Sequence, residues 1–155
     1  MKSILFICTG NVFRSLVAEY ALKTLLGPES GYVVRSAGTE AVPQAVSPLI
    51  LGWLRERGAD ASQHMPRQLT HELLDSAHVP VAMGVDHKEF IRQQFNRDVC
   101  LFNEICFQKP ESILDVHEGV PDWQLNAQAS RDYALSVIEY IWNAMPAFLA
   151  RIRQL

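Results

Sequence analysis

The stretch that most constrains this chain is Lys2-Ser3-Ile4-Leu5-Phe6-Ile7-Cys8-Thr9-Gly10-Asn11-Val12-Phe13-Arg14-Ser15. Ser3 to Ile7 is a short apolar run, long enough for a buried strand and too short for a membrane span or a signal-peptide core. At Cys8 the polarity changes abruptly. Cys8, Gly10 and Asn11 stand where a turn belongs, and from Arg14 the pattern becomes helical. Leu16, Val17, Tyr20, Ala21, Leu22, Leu25 and Leu26 recur at three- and four-residue spacings and share one apolar face. A strand that feeds a glycine-containing loop into a helix N-terminus makes an anion site. Successive backbone N–H groups converge there, and the helix dipole adds about half a positive charge.

The residues in the loop suit a phosphoryl group. Cys8 at the strand exit and Arg14 six positions on frame five residues whose amides can ring an anion. Amides, dipole and guanidinium together favour the thiolate form of a cysteine placed there. Arg14 offers a planar fork for two equatorial oxygens. Gly10 lets the backbone approach the anion closely, and Asn11 tolerates the left-handed conformation that a tight cradle needs.

Beyond this unit the chain alternates strand and helix patterns. Tyr32–Ser36 reads as a second strand, and Ser47-Pro48 starts a helix that runs to about Gly58. Thr70 caps a short helix through Leu74. Val79–Met83 is a third strand, weakened by Pro80, which removes a ladder donor. Asp86–Gln94 reads as a helix and Val99–Phe102 as a fourth strand, and Cys100 and Cys106, in an apolar stretch, are expected as small buried hydrophobes. Lys109–Trp123 has little periodicity and two prolines, which predicts a long surface loop, and loops of that length are usually functional. The last helix spans about Ala127–Arg153, with Pro146 expected to kink or break it.

This order predicts an α/β fold: a three-layer sandwich in which a four-stranded parallel sheet carries helices on both faces and a phosphate-binding loop follows strand 1. The 155 residues form one domain, 1–155, with the site at the carboxyl edge of the strands. A net charge of −3 argues against nucleic acid as a partner, and no apolar run is long enough for membrane insertion. Three cysteines without paired spacing give neither a disulfide framework nor a zinc site, so a cytoplasmic, reduced protein is expected.

With these residues in view, the chain resembles the low-molecular-weight protein-tyrosine phosphatases over essentially its whole length. Cys8-Thr-Gly-Asn-Val-Phe-Arg14-Ser15 is similar to the family's phosphate-binding loop, and Ala18-Glu19 follows it in the family's manner. Ser36-Ala37-Gly38-Thr39, the block from His64 to Thr70, and Val120-Pro121-Asp122 match further blocks in the same order. The resemblance implies a phosphomonoester hydrolase that works through a cysteinyl-phosphate, needs no metal or cofactor, and acts on phosphotyrosine in proteins. A phosphorylated protein or a small phosphate ester would be its partner, and a monomer or weak dimer its state. It implies Cys8, Arg14 and Asp122 as the catalytic set, Asp122 being the proton donor. Thr9, Gly10, Asn11, Val12, Phe13 and Arg14 would bind the phosphate, and Ser15, Ser36 and His64 would support the loop.

Four positions depart from the family pattern. Phe13 replaces a frequent second cysteine and Leu16 a usual proline; Val42 stands where an aromatic often walls the cleft, and Trp123 follows Asp122 in place of proline. Val42 and Trp123 are therefore the expected specificity wall. Val12 is apolar, as in tyrosine-directed members, whereas arginine-phosphatase relatives tend to carry threonine there. Two rival readings are a non-catalytic phosphate-binding regulatory module and a thioredoxin-coupled arsenate reductase. The second needs relay cysteines, and Met83 occupies one of their places at the end of the third strand.

Overall fold

A computed structural model describes residues 2–155. The sheet holds β1 (Lys2–Cys8), β2 (Tyr32–Gly38), β3 (Val79–Ala82) and β4 (Cys100–Leu101) in the order β2-β1-β3-β4, every pair parallel. The helices are α1 (Arg14–Leu26), α2 (Pro48–Glu56), α3 (His71–Ser76), α4 (Val85–Phe95), α5 (Phe102–Phe107), α6 (Val116–Gly119) and α7 (Ala127–Ile152).

β1 is buried on both faces, which is why it reads as an unbroken apolar run rather than an alternation. Ile4, Phe6 and Cys8 face the larger core, filled by Leu16, Val17 and Leu22 of α1, Leu54 of α2, Phe102 of α5 and Ile141 and Phe148 of α7. Leu5 and Ile7 face the smaller core, closed by Leu74 of α3 and Ile91 of α4. Helices therefore cover both faces, as the alternating pattern predicts.

Three local expectations need correction. The fourth strand is only Cys100–Leu101, because Phe102 already opens α5. Phe102 and Ile105 are a helical pair three residues apart, and the Glu104 carboxylate accepts from Leu101 N at 2.9 Å to cap the turn. A short apolar run does not separate strand from helix by pattern. Pro146 does not break α7; it stands on the helix's exposed side, where solvent can reach the turn whose hydrogen bond its ring removes. Cys100, expected as a small buried hydrophobe, is exposed, whereas burial pushes the half-buried Cys106 thiol up to about 12. Pro80 is accommodated because β4 pairs only with Val81 and Ala82, beyond the proline.

The segment 109–123 is tied down more firmly than its composition suggests. Ile113 N donates to Met83 O at 2.9 Å, Asn103 Nδ2 to Glu111 O at 3.0 Å, and Tyr133 Oη to Leu114 O at 2.7 Å. These bonds hold the strand-like strap 111–114 against the carboxyl end of β3. They also deliver α6 to the edge where Cys8 lies.

Candidate active site

Cys8 ends β1 and Arg14 begins α1, so residues 9–13 form the turn between a buried strand and a helix N-terminus and belong to neither ladder. Asn11 takes φ 59°, the left-handed conformation expected of it, and is fully buried. Its side-chain amide and its carbonyl are all used. Its Oδ1 accepts from Arg67 N at 3.0 Å, its Nδ2 donates to Ser15 Oγ at 2.9 Å and Ser36 Oγ at 2.8 Å, and its carbonyl accepts from His64 Nε2 at 2.7 Å. Those bonds stabilise a backbone conformation that costs an ordinary residue about 1 kcal/mol or more. Tyr20 packs edge-on against His64, ring centroids 5.8 Å apart, and so braces the imidazole from α1.

The same asparagine reaches the serine beside the nucleophile. Ser15 Oγ accepts from Asn11 Nδ2 and lies 2.9 Å from the Cys8 sulfur and 3.5 Å from the Ala37 carbonyl oxygen. Ser36 likewise accepts from Asn11 and donates to Glu19 Oε1 at 2.6 Å, and Glu19 is in turn paired with Lys23. Glu19 anchors this relay from α1, a role that its place after the loop motif hinted at but did not specify.

Gly38 is the loop's floor. A Cβ there would lie 2.3 Å from Thr9 O and 3.1 Å from Asn11 N, so only glycine lets β2 come this close to the loop backbone. Gly38→Ala should therefore push the loop out of shape, lowering stability by about 1–3 kcal/mol and turnover with it. A melting point and kcat/KM equal to those of the parent protein would contradict this. Residues 39–44 pass beside the loop, with Thr39 N on Cys8 O and Glu40 N on Thr9 O, both at 2.9 Å. Val42 in that segment and Trp123 after α6 are exposed apolar side chains, 56% and 44% accessible. Phe13, by contrast, packs against the larger core rather than facing solvent.

Arg14 is 2% exposed and held from several sides. It donates through Nη1 to Ile113 O at 2.7 Å and through Nη2 to Thr9 Oγ1 at 3.4 Å; Asp115 Oδ2 lies 3.5 Å away and Glu118 Oε1 3.9 Å. The carboxylate that the fold brings to the loop arginine is thus Asp115. Asp122 is exposed in the turn after α6, one residue before Trp123. The physical reason is the strap: Ile113 is fixed both to Met83 and to Arg14, so the residues just after it reach the site. Asp115 caps α6, accepting from Val116 N at 2.7 Å while Glu118 accepts from Asp115 N at 3.0 Å, and this fixes both carboxylates. Asp115 and Glu118 were not legible in a segment without periodicity.

A second group missing from the sequence reading is His87 of α4. Its Nε2 lies 2.8 Å from Thr9 Oγ1 and 3.5 Å from Asp86 Oδ2, and its Nδ1 is buried without a hydrogen-bond partner. Burial first, and the Arg14 charge second, lower its pKa from 6.5 to about 4, so the ring is neutral at neutral pH.

Comparison with known proteins agrees with this geometry. Residues 3–154 match the family described as low molecular weight phosphotyrosine protein phosphatase. The chain belongs to that family. Within it, the chain is 36% identical over 121 residues to the protein-arginine-phosphatase of Bacillus subtilis (strain 168), 77% of each chain being covered. It is 36% identical over 85 residues to arsenate reductase 2 of Staphylococcus haemolyticus (strain JCSC1435), over 55% of this chain and 62% of that one. Among solved structures, a cysteine-to-serine mutant of the YwlE arginine phosphatase with a phosphorylated active-site serine superposes with a TM-score of 0.81. It is 27% identical, with 97% of this chain and 95% of that one covered. As a low-molecular-weight phosphatase of this family, the chain is a cysteine-based phosphatase. No helix among the described residues is long and apolar enough to cross a membrane.

Proposed function

We propose that this phosphatase removes phosphate from tyrosine side chains of proteins, with Cys8 as nucleophile, Arg14 and the loop amides as phosphate ligands, and Asp115 as proton donor. The observation that carries the reading is the convergence of three groups on one loop: the Cys8 sulfur with the Ser15 hydroxyl 2.9 Å away, the buried Arg14 fork, and the Asp115 carboxylate beside it. In the first step the sulfur attacks phosphorus, an S–P bond forms, and the P–O bond to the leaving group breaks. Asp115 gives its proton to the departing oxygen. In the second step water attacks phosphorus, its proton passes to Asp115, and inorganic phosphate leaves a free thiolate. Arg14 and the amides of residues 9–14 hold the equatorial oxygens throughout. Such a thiol has to stay reduced, which fits a cytoplasmic setting.

Phosphotyrosine is favoured by the apolar Val12 of the loop, whereas Val42, smaller than the aromatic it replaces, offers less wall for a flat ring. One specific pair of observations favours phosphoarginine instead: the similarity to a protein-arginine-phosphatase, and a second carboxylate, Glu118, at Arg14, which would attract a cationic guanidinium. Rates on matched phosphotyrosine and phosphoarginine peptides separate the two. The expected result is a kcat/KM higher for phosphotyrosine by about tenfold or more. The reverse order would give the substrate to arginine.

The arsenate-reductase reading lacks its thiols. Cys100 is level with Phe6 of β1 and two strands away, about 10 Å laterally, beyond the ~7 Å Cα separation that a disulfide allows. Cys106 turns its sulfur toward Ala144 O on α7.

A further inference from the structure

Arg14 poses a positioning problem. Its guanidinium faces an anion cradle on one side and two carboxylates, Asp115 and Glu118, on the other. A freely moving fork would settle on the carboxylates and leave the phosphate site short of its main cation. Two neutral acceptors oppose that: the Ile113 carbonyl and the Thr9 hydroxyl oxygen. The carbonyl is fixed by the strap's bond to Met83. A threonine hydroxyl, by contrast, can turn away by a single χ1 rotation unless something holds it.

His87 holds it. The ring comes from α4 and is 1% exposed. Its Nε2 fixes Thr9 Oγ1 at 2.8 Å, and so the threonine oxygen keeps a lone pair toward Arg14 Nη2. Nothing else in the site explains why a histidine is buried here with Nδ1 unpartnered, an arrangement that is unfavourable by about 1–3 kcal/mol for the lost hydrogen bond. Because the ring is neutral, it fixes the threonine without adding a second cation beside Arg14.

We propose that His87 is a positioning residue for the phosphatase reaction: through the Thr9 hydroxyl it keeps the Arg14 guanidinium on the anion cradle rather than on the α6 carboxylates. The proposal rests on the reading of Arg14 as the phosphate ligand. It does not depend on which ring nitrogen carries the proton, since the 2.8 Å contact fixes the threonine in either tautomer.

The test uses His87→Leu, His87→Gln, Thr9→Val and the His87→Leu/Thr9→Val double variant, with vanadate as the probe of the cradle and p-nitrophenyl phosphate as substrate. His87→Leu should weaken vanadate inhibition and raise KM by about tenfold, with a smaller change in kcat on this activated substrate. Glutamine can both donate to and accept from Thr9, so His87→Gln should return vanadate affinity to within about threefold of the parent protein. Thr9→Val should reproduce His87→Leu, and the double variant should be no worse than either single, because both break one chain of contacts. Unchanged vanadate affinity in His87→Leu, or losses that simply add in the double variant, would overturn the proposal. A ring that only filled space would lower the melting temperature and leave vanadate affinity alone. If His87→Leu does not fold, Thr9→Val decides, since it leaves the ring in place; parental vanadate affinity there overturns the proposal. Failure of the parent protein to bind vanadate would remove the cradle itself and this proposal with it, whereas a parental result in the variants removes this proposal alone.

Discussion

Cys8→Ser should reduce turnover of any phosphate ester by about four to six orders of magnitude, while the protein keeps its fold and its affinity for vanadate. The substitution exchanges sulfur for oxygen at a buried atom whose partner, Ser15 Oγ, sits 2.9 Å away, so packing changes little. Chemistry changes completely, because an aliphatic hydroxyl does not ionise near neutral pH and is a far weaker nucleophile than a thiolate. Arg14 and the loop amides are untouched and still meet an anion. The measurement is steady-state hydrolysis of p-nitrophenyl phosphate, paired with vanadate binding followed by calorimetry. Hydrolysis within tenfold of the parent protein would sink the thiolate mechanism. Loss of vanadate binding together with hydrolysis would instead mean that the loop needs the sulfur to keep its shape.

The loop was legible in the sequence because its chemistry is local. Strand, glycine-containing turn, cation and helix start all lie within Lys2–Ser15, and each has a short-range signature. The supporting residues Asn11, Ser36 and His64 were reached through their blocks, and their bonds to the loop are now explicit. Legibility failed where placement depends on contacts between distant segments. Asp115 and Asp122 stand in the same irregular stretch, and nothing in their spacing says which one faces Arg14; the strap bond from Ile113 to Met83 decides it. His87 was missed for a related reason. A lone histidine on an amphipathic helix reads as ordinary, and only the approach of α4 to Thr9 gives it a task. The two-residue β4 and the short α5 share one apolar run, which pattern alone does not divide.

Asp115→Asn should lower kcat by about 10²–10⁴-fold on esters with poor leaving groups, phenyl phosphate among them, and far less on p-nitrophenyl phosphate. The difference arises because a leaving group that departs readily as an anion needs little help from a proton. Asparagine keeps the size of aspartate, and its side-chain oxygen still accepts from Val116 N to cap α6, so the loop should hold its shape. What it removes is the transferable proton and the negative charge beside Arg14. Those two losses act in opposite directions on binding and chemistry. Without its 3.5 Å carboxylate neighbour, the Arg14 guanidinium is freer to meet phosphate, so KM or the vanadate inhibition constant should fall even as kcat drops. Asp122→Asn, in the exposed turn, should change both parameters by less than about threefold on either substrate. An equal loss on good and poor leaving groups in Asp115→Asn would mean that Asp115 shapes the loop instead of supplying the proton. A leaving-group-dependent loss in Asp122→Asn would return the proton donor to Asp122 and require the segment after α6 to swing over the loop when substrate binds.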